Sequence, residues 1–384
     1  MTTFIDKERL ATTFTTLCET DSPSRREGNI SKLLQQTFTE LGADLVFEDN
    51  SASATGSEVG NLIIRFNGNQ PDQEGLFFSC HMDTVEPGSG VQVVREGTIF
   101  KSKGDTILGG DDKSGIAAII ELIQLLQDNK LSHPMIEIII TTCEEIGLLG
   151  AKHLEMDKVQ SPYGFALDSS GINHVVVGAP AANKLTITVK GQAAHAGLCP
   201  EAGINALSIS AAAINSLTFG RLDDESTSNI GIIEGGVAAN IIPETITLHG
   251  EVRSHSEEKL QHYTDEIQSA FQKAVADWQP SDQTGDLRPE VEMSIISDYP
   301  ALSIPPEAPV LQRLQNGAEK ANLTIQQIVA GGGSDANIFC GKGLPTAIIA
   351  TGMNKVHTLD EQLDLDDLVL LTELLVGIVT APLA

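Results

Sequence analysis

Five short stretches of this sequence pair side chains that bind metals or move protons with glycines or with the end of an apolar run. The first is Cys80-His81-Met82-Asp83, directly after GLFFSC. Residues two apart on an extended segment project the same way, so one of His81 and Asp83 can bind an ion while the other orients it. A carboxylate on the free ring nitrogen would fix the tautomer of a ligating imidazole. Alone, an H-x-D pair equally describes a surface hydrogen bond. The second is Gly109-Gly110-Asp111-Asp112-Lys113-Ser114-Gly115, running into IAAIIELIQLL. Paired aspartates before a helix are the ordinary capping pattern, whereas the flanking glycines permit a backbone that aims a carboxylate at an ion. The third, Thr141-Thr142-Cys143-Glu144-Glu145-Ile146-Gly147, ends MIEIIITTC. Adjacent glutamates point in different directions, so one can hold a metal while its neighbour takes a proton from water. A solvated acidic turn is the plain alternative. Asp168 closes YGFALD ahead of Ser169-Ser170-Gly171, and His357 follows PTAIIATG by a few residues.

Each stretch alone reads as surface or capping chemistry. Jointly they put His81, Asp111, a glutamate, Asp168 and His357 where apolar runs of strand length end. Such a set of oxygen and nitrogen donors suits two zinc ions sharing one carboxylate, with a glutamate to spare.

Those side chains need strands whose ends converge. NLIIRF, GLFFSC, MIEIIITTC and YGFALD are short apolar runs, and they alternate with helical periodicities at residues 25–41, in GIAAIIELIQLL and in LLGAKHL. An amphipathic helix near residues 6–19 precedes them. Alternation of this kind builds an α/β domain with a mostly parallel central sheet covered by helices, whose ligand sites lie at the carboxyl ends of the strands. From about Asn183 the order becomes strand, helix, strand, strand, helix, strand: KLTITVKG, ALSISAAAINSL, SNIGIIEGG, TITLHGEVRS, a long helix at 256–278, and a strand after QPSDQTGDLRPE. That order predicts an α+β domain with an antiparallel sheet. From about Pro300 the first pattern resumes, with a helix before ANLTIQQIVA, the strand PTAIIATG and a helix in the tail 365–384. The expected organisation is a catalytic domain from 1–180 and 295–384 with 181–294 inserted into it.

Composition narrows the partners. The chain has 384 residues, 41% hydrophobic, enough for two cores of ordinary size. Its 52 acidic against 24 basic residues give a formal charge of -28, which repels phosphate backbones and anionic lipid heads, so neither nucleic acid nor a membrane is expected as a partner. No run approaches the roughly 20 apolar residues of a membrane helix, and the amino terminus lacks a basic stretch leading into an apolar core. A cytoplasmic protein is expected. Five scattered cysteines with no C-x-x-C pair fit a reducing compartment and small core residues, and neither disulfides nor a thiolate zinc site.

HMDT, GGDDKSG, CEEIG, ALDSSG and the late His357 resemble the co-catalytic di-zinc exopeptidases, the family of tripeptidase T, glutamate carboxypeptidase and the aminoacylases, and most of all its peptidase T-like branch. The resemblance covers essentially the whole chain. It implies that His81, Asp111 and Asp168 hold one zinc and Asp111, Glu145 and His357 the other, with Asp111 bridging. It further implies that Asp83 orients His81, that Glu144 is the general base, and that a cis peptide precedes Asp112 and aims Asp111. In the 181–294 segment, His195 of QAAHAG matches a histidine that reaches the reacting carbonyl, in many members across a dimer interface. Asn240 of AANIIPE and Arg253 of GEVRSH lie in segments resembling substrate contacts, and Gly331-Gly332-Gly333-Ser334-Asp335 resembles a loop near the substrate. Arg253 equally fits a strand-edge salt bridge, and His195 an exposed turn.

The implied activity is hydrolysis of an amide in a short peptide by metal-activated water, as an aminopeptidase of the tripeptidase type. Zinc is the expected metal, with cobalt or manganese compatible, and a homodimer through the inserted domain is implied. A carboxypeptidase or an N-acyl amino acid hydrolase would use the same ligands. A protein that kept the metal site for binding alone would not need Glu144.

Overall fold

In the computed structural model, which describes residues 5–381, the chain divides into two compact units. One comprises the chain up to Gly178, Ser303–Ala330 and the chain from Ser334 onward; the other comprises Ala179–Leu302 with Gly331–Gly333.

The first unit is built on a sheet whose central strands lie side by side in the order Ile136–Thr141, Leu76–His81, Gly164–Ser169, Thr346–Ala350, all parallel. Leu62–Phe66 and Leu45–Glu48 extend one side antiparallel, and His174–Ala179 flanks the other. The first two central strands are buried at every residue, as mostly apolar runs covered on both faces should be, with Glu137 kept there by Arg65. Helix Gly110–Asp128 packs against Leu76–His81 and against helices Lys7–Cys18 and Leu365–Thr380. Its apolar residues from Ile116 to Leu126 are buried. Helix Pro309–Lys320 docks on Leu365–Thr380 where two glycines meet: a Cβ on Gly317 would lie 2.6 Å from the Ile378 backbone nitrogen. The tail helix expected within 365–384 ends at Thr380, and residues 382–384 lie outside the described ones. A small sheet of Val93–Glu96, Ile99–Ser102 and Gln362–Asp364 was not expected, because its strands are short and polar.

The second unit is an antiparallel sheet in the order Gly220–Arg221, Ser226–Gly235, Thr245–Ser254, Ala181–Lys190, Glu290–Tyr299. Leu185, Ile187 and Val189 alternate into its core and meet Ile209 and Ala213 of helix Ala206–Asn215 and Leu260, Ile267 and Phe271 of helix Glu257–Ala276. Ser256 caps the longer helix, accepting the Lys259 N–H. The closing strand pairs along Ala181–Lys190 as far as Tyr299, so the sheet continues beyond residue 294. All five cysteines are free; Cys18, Cys80 and Cys143 are buried, while Cys199 and Cys340 are only half-buried. No helix among the described residues is long and apolar enough to cross a membrane.

Candidate metal centre

The four parallel strands deliver the candidate ligands in spatial order: Glu144 and Glu145 after Ile136–Thr141, His81 at the end of its strand, Asp168 near the end of Gly164–Ser169, and His357 beyond Thr346–Ala350. One ligand atom each from His81, Asp111 and Glu145 lies within 4.8 Å of the others. His357 joins them, its Nε2 3.0 Å from Glu145 Oε1 and 3.2 Å from Asp111 Oδ2. Asp111 stands between the two histidines, with Oδ1 3.1 Å from His81 Nε2.

Asp111 does not act as a helix cap. Asp111 (φ -83, ψ 108) and Asp112 (φ -112, ψ 30) depart from helical geometry, and the peptide between them is cis. Gly109 precedes them at φ +76, a left-handed conformation that glycine adopts without strain. The regular helix starts after this turn, leaving the Asp111 carboxylate to the histidines. Asp112 turns the other way and accepts the His81 N–H at 3.3 Å.

Electrostatics mark the cluster as short of positive charge. Burial raises the Glu144 and Asp168 carboxyls well above the usual range, and neighbouring charges add to it, Asp168 and Asp335 for Glu144, Asp111 and Glu145 for Asp168. Burial works against charge on His81, yet the Asp111 and Asp83 carboxylates outweigh it and raise its pKa. Hydrogen bonds to Asp111 and Glu145 push His357 up to about 10. The Asp111 carboxyl resists burial and is held low by His357 and His81. Crowded carboxylates with mixed oxygen and nitrogen donors fit divalent transition metals. His81, Asp111, Glu145 and His357 are grouped closely enough to hold an ion, with Asp168 among the acids around them.

Asp83 stands beside His81 and also holds a distant turn. Its carboxylate is 3.7 Å from His81 Nδ1, too long for a hydrogen bond, and its backbone carbonyl is the atom at 2.9 Å. The carboxylate instead accepts the N–H groups of Glu144 at 2.9 Å and Glu145 at 3.3 Å and the Ser24 hydroxyl at 2.6 Å. Sequence reading also missed Glu27, which is buried and accepts the Arg25 and Cys143 N–H groups and the Ser57 hydroxyl. Asp335, known only as part of a glycine run, accepts from the Thr141 hydroxyl at 2.5 Å and is raised to about 6 by burial. No local pattern flags these residues, because each acts on a turn distant in sequence.

In the second unit His195 and Asn240 come together. His195 bridges Ile241, the Ala196 N–H donates to the Asn240 carbonyl at 2.9 Å, and both side chains are exposed. His195 Nδ1 accepts the Gly197 N–H at 3.1 Å, leaving Nε2 free of that bond. Arg253 is paired with Glu251 at 3.0 Å and lies beside the glycine run, 3.6 Å from where a Cβ on Gly332 would be.

Residues 77–381 match peptidase family M20/M25/M40. The chain belongs to that family. Among M20/M25/M40 relatives, it is 36% identical to the aminopeptidase PepT of Bacillus cereus ATCC 10987, with a TM-score of 0.88 and coverage of 98% of both chains. A tripeptidase from Staphylococcus aureus subsp. aureus Mu50 gives 32% identity, a TM-score of 0.90 and the same coverage. The uncharacterized protein YqjE of Bacillus subtilis strain 168 is 38% identical over 376 residues, 98% of each chain. As an M20/M25/M40 member the protein is a peptidase, a hydrolase, with an α/β fold and inserted antiparallel sheet like those of its PepT neighbours.

Proposed function

We propose that the protein is a zinc-dependent aminopeptidase that releases the amino-terminal residue of short peptides, tripeptides above all. The observation that carries this reading is the likeness to an aminopeptidase and a tripeptidase over 98% of each chain at 36% and 32% identity. His81, Asp111 and Asp168 would hold one zinc, and Asp111, Glu145 and His357 the other, with cobalt or manganese able to replace zinc. The ions, when bound, supply Lewis acidity to the scissile carbonyl and make water a nucleophile near neutral pH.

The chain's own groups do the rest. Glu144 takes the proton of the attacking water and returns it to the leaving amine, a task suited to a carboxyl whose surroundings raise its hold on a proton. Asp83 fixes the Glu144–Glu145 turn through its backbone. His195 donates to the developing oxyanion, while Asn240 and Arg253 hold the peptide, the guanidinium gripping its carboxylate. No protein nucleophile takes part: the Cys143 thiol, pushed up to about 12 by burial and Glu27, stays protonated, and Ser169 and Ser170 are bystanders. The reading includes a cytoplasmic homodimer joined through the inserted unit.

The test is release of free amino acids from di-, tri- and N-acylated peptides by chelated protein with and without added zinc. Zinc-restored removal of the amino-terminal residue from tripeptides is the expected result. Carboxyl-terminal cleavage or preference for acylated substrates would replace the reading with a carboxypeptidase or deacylase. No cleavage with two metals bound would leave a binding protein.

A further inference from the structure

Glu361 is almost wholly buried, 1% exposed, and it ligates nothing in the scheme above. Its Oε2 accepts the N–H groups of Leu108 and Gly109, both at 2.8 Å, and its Oε1 accepts that of Asp111 at 3.1 Å. The left-handed turn at Gly109 lets these N–H groups converge, and Gly110 leaves the room: a Cβ there would sit 3.1 Å from Glu361 Oε1. Glu361 also closes the loop that carries His357. Asn354 and Gln362 exchange two backbone hydrogen bonds of 3.0 Å at the neck of that loop, and the Glu361 N–H donates to the Thr358 carbonyl at 3.1 Å. His357 stands further along, half exposed, with its Nε2 on Asp111 Oδ2 and Glu145 Oε1. One short loop therefore grips Asp111 twice, by the side chain through His357 and by the backbone through Glu361.

We propose that Glu361 is a positioning residue that locks the His357 loop to the Asp111 turn and so sets the spacing of two ligands of one metal ion. The inference rests on the metal-centre reading above. An exposed histidine on a loop holds an ion only as firmly as the loop is held, and a charged acceptor on several N–H groups is a strong anchor. His81 and Asp168 stand on strands that Glu361 does not touch, so their ion depends on it less.

The experiment is a cobalt titration of the full chain after chelation, followed by visible absorption, for wild type, Glu361→Gln and Glu361→Asp. Gln keeps the shape but turns one oxygen into a donor facing N–H groups; Asp keeps the charge but shortens the reach. The second cobalt equivalent is expected to bind at least about tenfold more weakly in Glu361→Gln, with altered absorption, and the first to change less than about threefold. Glu361→Asp should fall between. An unchanged second equivalent, or equal weakening of both with a lowered melting temperature of the metal-free protein, would overturn the proposal. Should Glu361→Gln not fold, Glu361→Asp decides by the same comparison of the two equivalents. A wild type that takes up fewer than two cobalt ions would overturn the metal-centre reading itself, and this inference with it.

Discussion

Asp83 offers the sharpest prediction, because its bonds can be removed by degrees. The side chain is fully buried and accepts from Glu144 N–H, Ser24 Oγ and Glu145 N–H at 2.9, 2.6 and 3.3 Å. Asp83→Asn would keep its oxygen on the Glu144 N–H and present its NH₂ to Ser24, whose hydroxyl can rotate and accept. What is lost is the charge and the bond to Glu145. At about 1.5–3 kcal/mol for one charged hydrogen bond, the turn carrying the base and a ligand is held less well by a factor of roughly 10 to 150. Asp83→Ala removes every acceptor, and its two shorter bonds alone bring the loss to about 3–6 kcal/mol, roughly 10² to 10⁴. The assay is kcat/KM for amino-terminal release from a tripeptide at saturating zinc, with bound zinc measured alongside. Asp83→Ala within about tenfold of wild type, or Asp83→Asn as damaged as Asp83→Ala, would refute the reasoning.

Glu144→Gln should lower kcat by about 10² to 10⁴ with two metals still bound, as loss of a general base does; metal loss in parallel would make Glu144 a ligand instead. His195→Ala should lower kcat by roughly 10² or more without changing metal content, and zinc lost from the protein would contradict its role as a donor to substrate. Metal affinity should rise with pH, because ions must displace protons from His357, raised to about 10, and from the raised carboxyl of Asp168; calorimetric affinity flat across pH 6 to about 8 would count against this. The metal-free protein should do the reverse. Raised folded pKa values mean that the native state holds more protons than the unfolded chain, so its stability should fall from the ordinary carboxylate range up to about pH 10. Melting temperatures of chelated protein that climb over that interval would refute the sign.

Much of this centre is legible in the sequence because its ligands follow strands that are buried on both faces. Ile136–Thr141 and Leu76–His81 are mostly apolar and buried throughout, so polar residues at or just beyond their carboxyl ends gather at the sheet's edge. The chain order of such runs does not reveal their spatial order, yet parallel pairing brings all their carboxyl ends to one side. The acidic pair at Asp111 stayed ambiguous for a physical reason: capping and ion binding demand the same residue types, and only the backbone angles separate them. The second part played by Asp83 was missed because proximity in sequence points to His81, whereas the N–H groups it accepts belong to a turn 61 residues away. The sheet of Val93–Glu96, Ile99–Ser102 and Gln362–Asp364 was invisible since its strands are short and polar and its third one pairs from a distant part of the chain.

Three of the buried carboxylates assigned no metal follow one rule. Asp83 and Glu27 accept the N–H groups of the Cys143-Glu144-Glu145 turn, and Glu361 accepts those of the Asp111 turn. Turns at strand ends leave N–H groups without sheet partners, and buried N–H groups need acceptors. A carboxylate serves several at once because it offers about four lone-pair positions and no donor. Each such anchor adds negative charge beside ligands that are themselves mostly anionic, with the imidazoles of His81 and His357 as the cationic groups that touch Asp111. Among the anchors, Asp83 raises Asp335 and the His81 imidazole, whereas Glu144 and Asp168 are raised by burial and by the acids around them, Asp111, Glu145, Asp168 and Asp335. Because the anchors hold the turns that carry Asp111 and Glu145, a variant that neutralises an anchor should loosen a ligand turn and weaken metal binding through it.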